Sequence, residues 1–284
     1  MKLYFAVGPN QIQIDILKQC GVKNILTSFA FTNIFDKFLI QTRQWIPENL
    51  ILDSGAFSVW TKGNIIDIDK YVQFCIDSKQ KCIDSKLYFV NLDVLPGKFG
   101  EYPDEKQREE SAEKGWENML YLESKGLKVI PVFHQHEDFK WLDRIREHTD
   151  YIGISPANDV SSKMKEKWLE KVFSITRDTI KTHGFGITSF PLLKKFPFYS
   201  VDSTSWVASG RFASMHVFQN GNFRGILYKK DGKFDSVWRG LDEKDSKVLT
   251  EYRKRLKQSI IAFLQAEEFL TNIWTKRGIV WNEN

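Results

Sequence analysis

This sequence predicts an α/β fold closed as a (β/α)8 barrel of the TIM type, and two observations carry the prediction. Eight short apolar runs alternate with amphipathic stretches of helical period, the pattern of parallel strands joined by right-handed helical crossovers. The chain has 284 residues, close to the roughly 250 that such a barrel takes as a single domain. One domain over residues 1–284 is therefore expected, with no repeat, linker or low-complexity segment.

The strands are predicted at Leu3 to Val7, Asn24 to Phe29, Leu50 to Asp53, Leu87 to Asp93, Val129 to His134, Tyr151 to Ser155, Gly184 to Thr188 and Tyr199 to Asp202. Each is a short, largely apolar run with turn-forming residues nearby. Helices are predicted between them, among them Asp104 to Ser124, with an acidic start and Gly126 as its stop, and Ser161 to Thr182. The last helix falls between Glu243 and Lys276. Insertions are expected after the third strand, over Ser54 to Lys86, and after the eighth, over Ser209 to Gly240. The latter carries QNGNFRG and KKDGKF, whose Asn-Gly and Asp-Gly pairs are hairpin-turn signals. Both insertions follow strand C-termini, the face on which barrel active sites are built.

Composition narrows the class. Hydrophobic residues make up 42% and charged residues 27%, and no apolar run reaches the ~20 residues that span a bilayer. MKLYFAVGPN reads as a first strand rather than an export signal. Cys20, Cys75 and Cys82 are too scattered for a disulfide framework, and no CxxC pair is present. A cytoplasmic setting is expected, that of the host if the chain is viral, with no membrane partner. The net charge of +5 and pI near 8.9 are compatible with a polyanionic partner and are equally common in proteins without one.

The predicted strand ends carry the chemistry. Asp53 ends the third strand in ILDSGAF, Asp93 the fourth in LYFVNLDVLPG, and Asp202 the eighth in YSVDSTSW. His134, Gln135 and His136 follow the fifth, Gly153 lies on the sixth, and His183 precedes the seventh. An Asp after a strand is often the N-cap of the next helix, but three of them at one barrel mouth argue for a site. Phe57 and Trp206, each in a loop after a strand-end Asp, are candidates to stack on a ligand. His183 reads as a helix-end or bottom-face residue. Two other classes stay open. His134 and His136, spaced to share one strand face, could hold a divalent metal with Asp202 and His183 in a barrel hydrolase, or the chain could bind nucleic acid without catalysis.

At these residues the sequence resembles the guanine transglycosylases, barrel enzymes that exchange a guanine base in a polynucleotide for a 7-deazaguanine. LDSGAFS (Leu52 to Ser58) is similar to their DSGGFQ motif, and VDSTSWVASGR (Val201 to Arg211) to the segment around their nucleophilic aspartate, approximately FDCVxPTRxGR. NLDVLPG is similar to their FDECTP segment. VFHQHED, YIGIS and HGFGIT fall in the same order as their remaining strand ends. The resemblance covers about Leu50 to Arg211. Members that act on transfer RNA carry a CxCxxC zinc-binding subdomain near the C-terminus, and no cysteine follows Cys82 here. The chain therefore looks closer to the compact, zinc-free DpdA-type transglycosylases of bacterial viruses, which insert 7-deazaguanines into DNA.

The resemblance implies a set of roles. Asp202 would be the nucleophile that holds the sugar through a covalent intermediate, as a carboxylate does in retaining glycosidases. Asp53 would be the general acid and base, and Asp93 the acceptor for guanine N1 and N2 hydrogens. Gln135 or His134 would contact the O6 or N7 side, with Gly153 leaving room for the base plane and Phe57 and Trp206 stacking on it. By their position on or beside the long loop after the eighth strand, rather than by the resemblance, Arg211, Lys229, Lys230 and Arg239 are candidates to meet backbone phosphates. The partners implied are DNA, or alternatively transfer RNA, and a free 7-deazaguanine base such as 7-cyano-7-deazaguanine. No cofactor or metal is implied, and nothing fixes an oligomeric state.

Overall fold

The computed structural model describes residues 1–31, 47–158, 160–207, 214–227 and 251–281. Nine parallel strands form its main sheet: β1 (Lys2–Ala6), β2 (Asn24–Ser28), β3 (Asn49–Asp53), β4 (Lys86–Val90), β5 (Val129–Ile130), β6 (Val132–His134), β7 (Tyr151–Ser155), β8 (Lys181–Gly184) and β9 (Ser200–Ser203). Their order is β5-β4-β3-β2-β1-β9-β8-β7-β6. The two end members are consecutive in the chain and separated by Pro131 alone, so the sheet curls round to meet itself. It is a nearly closed, barrel-like sheet compatible with a TIM-like barrel.

The count of nine strands, where eight are expected, arises at Pro131. Proline has no N–H for the ladder, and the predicted strand Val129 to His134 divides there. Ile130 accepts the Asn91 N–H at 2.9 Å on one side, and Pro131 accepts the Gly153 N–H at 2.7 Å on the other.

Side chains alternate across the sheet with the strand period of two. On β1, Leu3 and Phe5 join the large cluster under the helices, while Tyr4 and Ala6 meet Leu26, Ile51, Val90 and Val132 inside the curl. The sheet therefore has two apolar faces, which is why its strands read as near-continuous apolar runs. At the N-terminal ends of the strands, half-buried Glu267 accepts the Leu3 N–H at 2.8 Å and the Asn24 amide at 3.2 Å.

The helices are α1 (Gln11–Gln19), α2 (Ala56–Trp60), α3 (Ile68–Lys81), α4 (Glu105–Ser124), α5 (Phe139–His148), α6 (Ser162–Thr176), α7 (Phe190–Lys195) and α8 (Tyr252–Lys276). Acidic and hydroxyl residues start several of them. Asp67 accepts from two backbone N–H groups of α3, Asp104 forms a reciprocal capping box with Gln107 on α4, and Asp138 and Ser161 cap α5 and α6. No helix among the described residues is long and apolar enough to cross a membrane. After the main sheet, β10 (Ser214–Gln219) and β11 (Asn222–Leu227) form an antiparallel hairpin against α8. Asn220 and Gly221 turn it with φ of 50° and 72°, the positive pair that a tight two-residue hairpin requires. QNGNFRG thus turns as predicted, while KKDGKF lies outside the described residues.

One strand is displaced from its prediction. The stretch Gly184 to Thr188 is not a strand beyond Gly184; β8 lies earlier, at Lys181–Gly184, and the preceding helix stops at Thr176. Apolar GFGIT resembles a strand more than polar KTHG does, but Gly186 turns with φ 62°, and KTHG holds the ladder positions beside β7 and β9. This places His183 within the sheet.

Candidate active site

A cleft of about 760 Å³ opens at the C-terminal ends of the strands. Its wall includes the last residues of six of them, Ala6, Ser28, Asp53, Val90, His134 and Ser155, together with Asp93 and Asp202. The three aspartates singled out by sequence therefore share one cleft. None is a helix cap. The residue preceding α2 is Gly55, which offers no side chain, no helix follows Asp93 before Glu105, and Asp202 takes its hydrogen bond from Gly186 across the strands.

Asp53 ends β3, and its Oδ2 accepts the Gly55 N–H at 3.0 Å. Burial pushes its carboxyl up first, and the Asp93 charge adds to this. Hydrogen bonds from Ser28 and Gly55 pull it down, the Asp202 charge adds a further small push upward, and the net position is about 7. The bend after Asp53 depends on Gly55, whose φ is 76° and whose absent Cβ would lie 2.7 Å from Ala30 Cβ and 2.8 Å from the Ala30 backbone N. Backbone cannot yield as a flexible side chain does. Gly55→Ala is expected to cost more than about 2 kcal/mol of folding stability, combining left-handed strain with the clash; an unchanged denaturation midpoint would refute the packing described.

Asp93 sits three residues beyond β4. Its Oδ1 accepts from the Ser54 hydroxyl at 3.4 Å, and its Oδ2 lies 2.7 Å from His134 Nε2, an ion-pair approach off the line of the ring N–H. Burial opposes protonation of His134, but the Asp93 contact and the charges of Glu137 and Asp93 outweigh it and raise the imidazole to about 9. Glu137 accepts the His134 backbone N–H at 3.0 Å, and burial raises its carboxyl to about 7. Sequence reading passed over Glu137, although it stands in the quoted VFHQHED.

Asp202 is 7% exposed. The Gly186 N–H donates to its Oδ1 at 2.8 Å, and His183 Nε2 lies 3.5 Å from the same oxygen. His183 is fully buried against Tyr4 and Phe185. It is thus a neighbour of Asp202 within the sheet, not the helix-end or bottom-face residue expected.

Other expectations need correction. Trp206 makes no wall: it is fully buried, edge-on to Phe5, and its Nε1 donates to the Ala6 carbonyl at 3.1 Å. A buried indole needs an acceptor for its N–H, and the core supplies one. Gln135 does not line the cleft; its side-chain oxygen accepts the Ala157 N–H at 3.0 Å. The space above Gly153 holds the ring of Phe185, whose Cε2 would stand 2.5 Å from a Cβ there. His134 and His136 do not share a strand face, because β6 ends at His134 and His136 lies in the turn beyond it, beside the Tyr102 ring. Among the described residues, no three His, Cys, Asp or Glu are grouped to hold a metal ion. Phe57 lies on the cleft wall and is 48% exposed. Arg211, Lys229, Lys230 and Arg239 lie outside the described residues.

No family model matches this chain, and no match to it is found among curated proteins. The geometry of the cleft therefore bears the functional argument.

Proposed function

We propose that this chain is a glycosyltransferase of the transglycosylase type, exchanging guanine in a polynucleotide for a 7-deazaguanine. DNA is the favoured polymer, on the resemblance to the compact DNA-acting enzymes. The observation that carries this reading is the convergence of Asp53, Asp93 and Asp202 on one cleft, with Asp53 held near 7. Separating carboxyl groups by environment is how one site keeps an acid and a nucleophile at the same pH. The same reading takes β5 and β6 as halves of one strand, giving an eight-stranded barrel with insertions after β3 and β9.

In the proposed reaction Asp202 attacks the sugar carbon C1', and the bond from C1' to the base nitrogen breaks. The departing guanine takes the proton of the Asp53 carboxyl. The incoming base returns a proton to Asp53 and bonds to C1', releasing Asp202 as a carboxylate. Asp93 selects the base: a carboxylate has about four lone-pair positions, so its contacts with Ser54 and His134 leave acceptors for the N1 and N2 hydrogens of guanine. Adenine has no N1 hydrogen to offer. Phe57 and Phe185, both on the cleft wall, are the rings placed to stack on the base. In duplex DNA the target nucleotide must first leave the helix, at a cost of a few kcal/mol that stacking and hydrogen bonds offset.

Incubation with labelled 7-cyano-7-deazaguanine and either duplex DNA or transfer RNA tests this. Label is expected in DNA, with one guanine released for each base incorporated. Incorporation into transfer RNA alone would move the assignment to RNA, and incorporation into neither polymer would sink it.

A further inference from the structure

Behind Asp202 runs a line of buried polar groups that the exchange chemistry does not use. The Tyr151 hydroxyl lies 2.6 Å from Ser200 Oγ, and Ser200 Oγ lies 2.7 Å from His183 Nδ1. Strand register explains the line: β8 pairs His183 with Ser200, two residues before Asp202 on the same face of β9. The far ring nitrogen, Nε2, is buried without a hydrogen-bond partner among the described residues, and it faces Asp202 Oδ1 at 3.5 Å.

Proton counting gives this line a direction. Tyr151 has one hydroxyl hydrogen, and burial keeps the phenol protonated. Ser200 Oγ is its hydrogen-bond partner. If that hydrogen goes to Ser200, the single Ser200 hydrogen is free for His183 Nδ1, and in that arrangement Nδ1 accepts it. A neutral imidazole carries one N–H, so its proton sits on Nε2. The reverse direction would strand the phenol hydrogen without an acceptor inside the sheet, the expensive state for a buried donor.

We propose that His183 is a positioning residue for Asp202. Tyr151 and Ser200 lock its ring in the Nε2–H tautomer, and that N–H acts with the Gly186 N–H on Asp202 Oδ1. Two donors on Oδ1 leave Oδ2 as the oxygen presented to the cleft. The 3.5 Å approach is long for a hydrogen bond and closes when substrate fills the cleft, as catalytic contacts commonly do. The inference rests on the proposed exchange only in making the target of Oδ2 a sugar carbon; the coupling of His183 to Asp202 is independent of it.

The test uses the full chain labelled with 15N-histidine, whose five histidines give separable ring signals; His183→Gln assigns the one that matters. At mildly alkaline pH the wild-type ring is expected to show a protonated Nε2 and an unprotonated Nδ1. Asp202→Asn should shift the Nε2–H signal, whereas Asp93→Asn should leave it in place. An Nδ1–H tautomer, or an Nε2–H signal indifferent to Asp202→Asn, would overturn the proposal. In exchange assays Ser200→Ala, which frees the tautomer, is expected to lower kcat about tenfold to a hundredfold with KM for the free base unchanged. A raised KM at unchanged kcat would instead make the line a structural support. The spectra need no substrate, so absence of exchange activity would sink the transglycosylase reading and leave the tautomer result standing.

Discussion

Asp202→Asn is expected to lower base exchange by about four orders of magnitude or more, the scale on which loss of a covalent nucleophile is felt, while the protein stays folded. The amide is nearly isosteric with the carboxylate, and its oxygen can still accept the Gly186 N–H that holds Oδ1 now. What it loses is charge and nucleophilicity. A neutral amide cannot balance the positive charge that develops on the sugar as the base departs, and it forms no stable bond to C1'. Two measurements check this together: the rate at which labelled base enters the polymer, and the intact mass of protein trapped on polynucleotide. Wild type is expected to show a protein–polynucleotide adduct and Asp202→Asn none. Activity within tenfold of wild type would remove Asp202 from the chemistry and return it to a structural role beside His183.

Much of this arrangement was legible in the sequence, and the failures share a physical cause. Asp53, Asp93 and Asp202 were readable because each follows an apolar run, and polar residues at strand ends need no packing partner to explain them. His183 was not, because KTHG is a strand by virtue of its neighbours β7 and β9, and tertiary pairing overrode its weak local preference. Trp206 failed similarly: a tryptophan after a strand-end aspartate looks the same in sequence whether its ring lines the mouth or turns to Ala6 beneath it. Gly153 was expected to leave room for a base plane, but the space beside it is filled by the ring of Phe185, a residue from the turn after the next strand. Local pattern reveals that a position is small or polar; which distant side chain uses it is decided by the closed sheet.

Asp53→Asn is expected to act on rate and stability in opposite directions. As the acid that protonates the departing base, Asp53 contributes about 10²- to 10⁴-fold, and asparagine can replace it in neither protonation state. In the wild type, exchange is expected to fall on the alkaline side with an apparent pKa of about 7, where Asp53 loses its proton. The charge of Asp93 is part of what raises that carboxyl, after burial. In Asp93→Asn, whatever activity remains should therefore lose its alkaline limb at lower pH, and an unmoved limb would break the assignment. Stability follows the same group through linkage. The folded carboxyl sits at about 7 against an ordinary 3.8, so between those values the folded state binds more protons than the unfolded one, and stability falls as pH rises. The full shift corresponds to about 4 kcal/mol. Asp53 opens onto a cleft that admits water, so a gain of about 1 to 2 kcal/mol is expected for Asp53→Asn at pH about 8, and little at pH about 4, where the wild-type carboxyl is protonated when folded. Denaturant midpoints of the two proteins at both pH values check this. A variant no more stable than wild type under alkaline conditions would mean that the cleft leaves Asp53 as well solvated as the unfolded chain does, and the acid role would lose its physical basis.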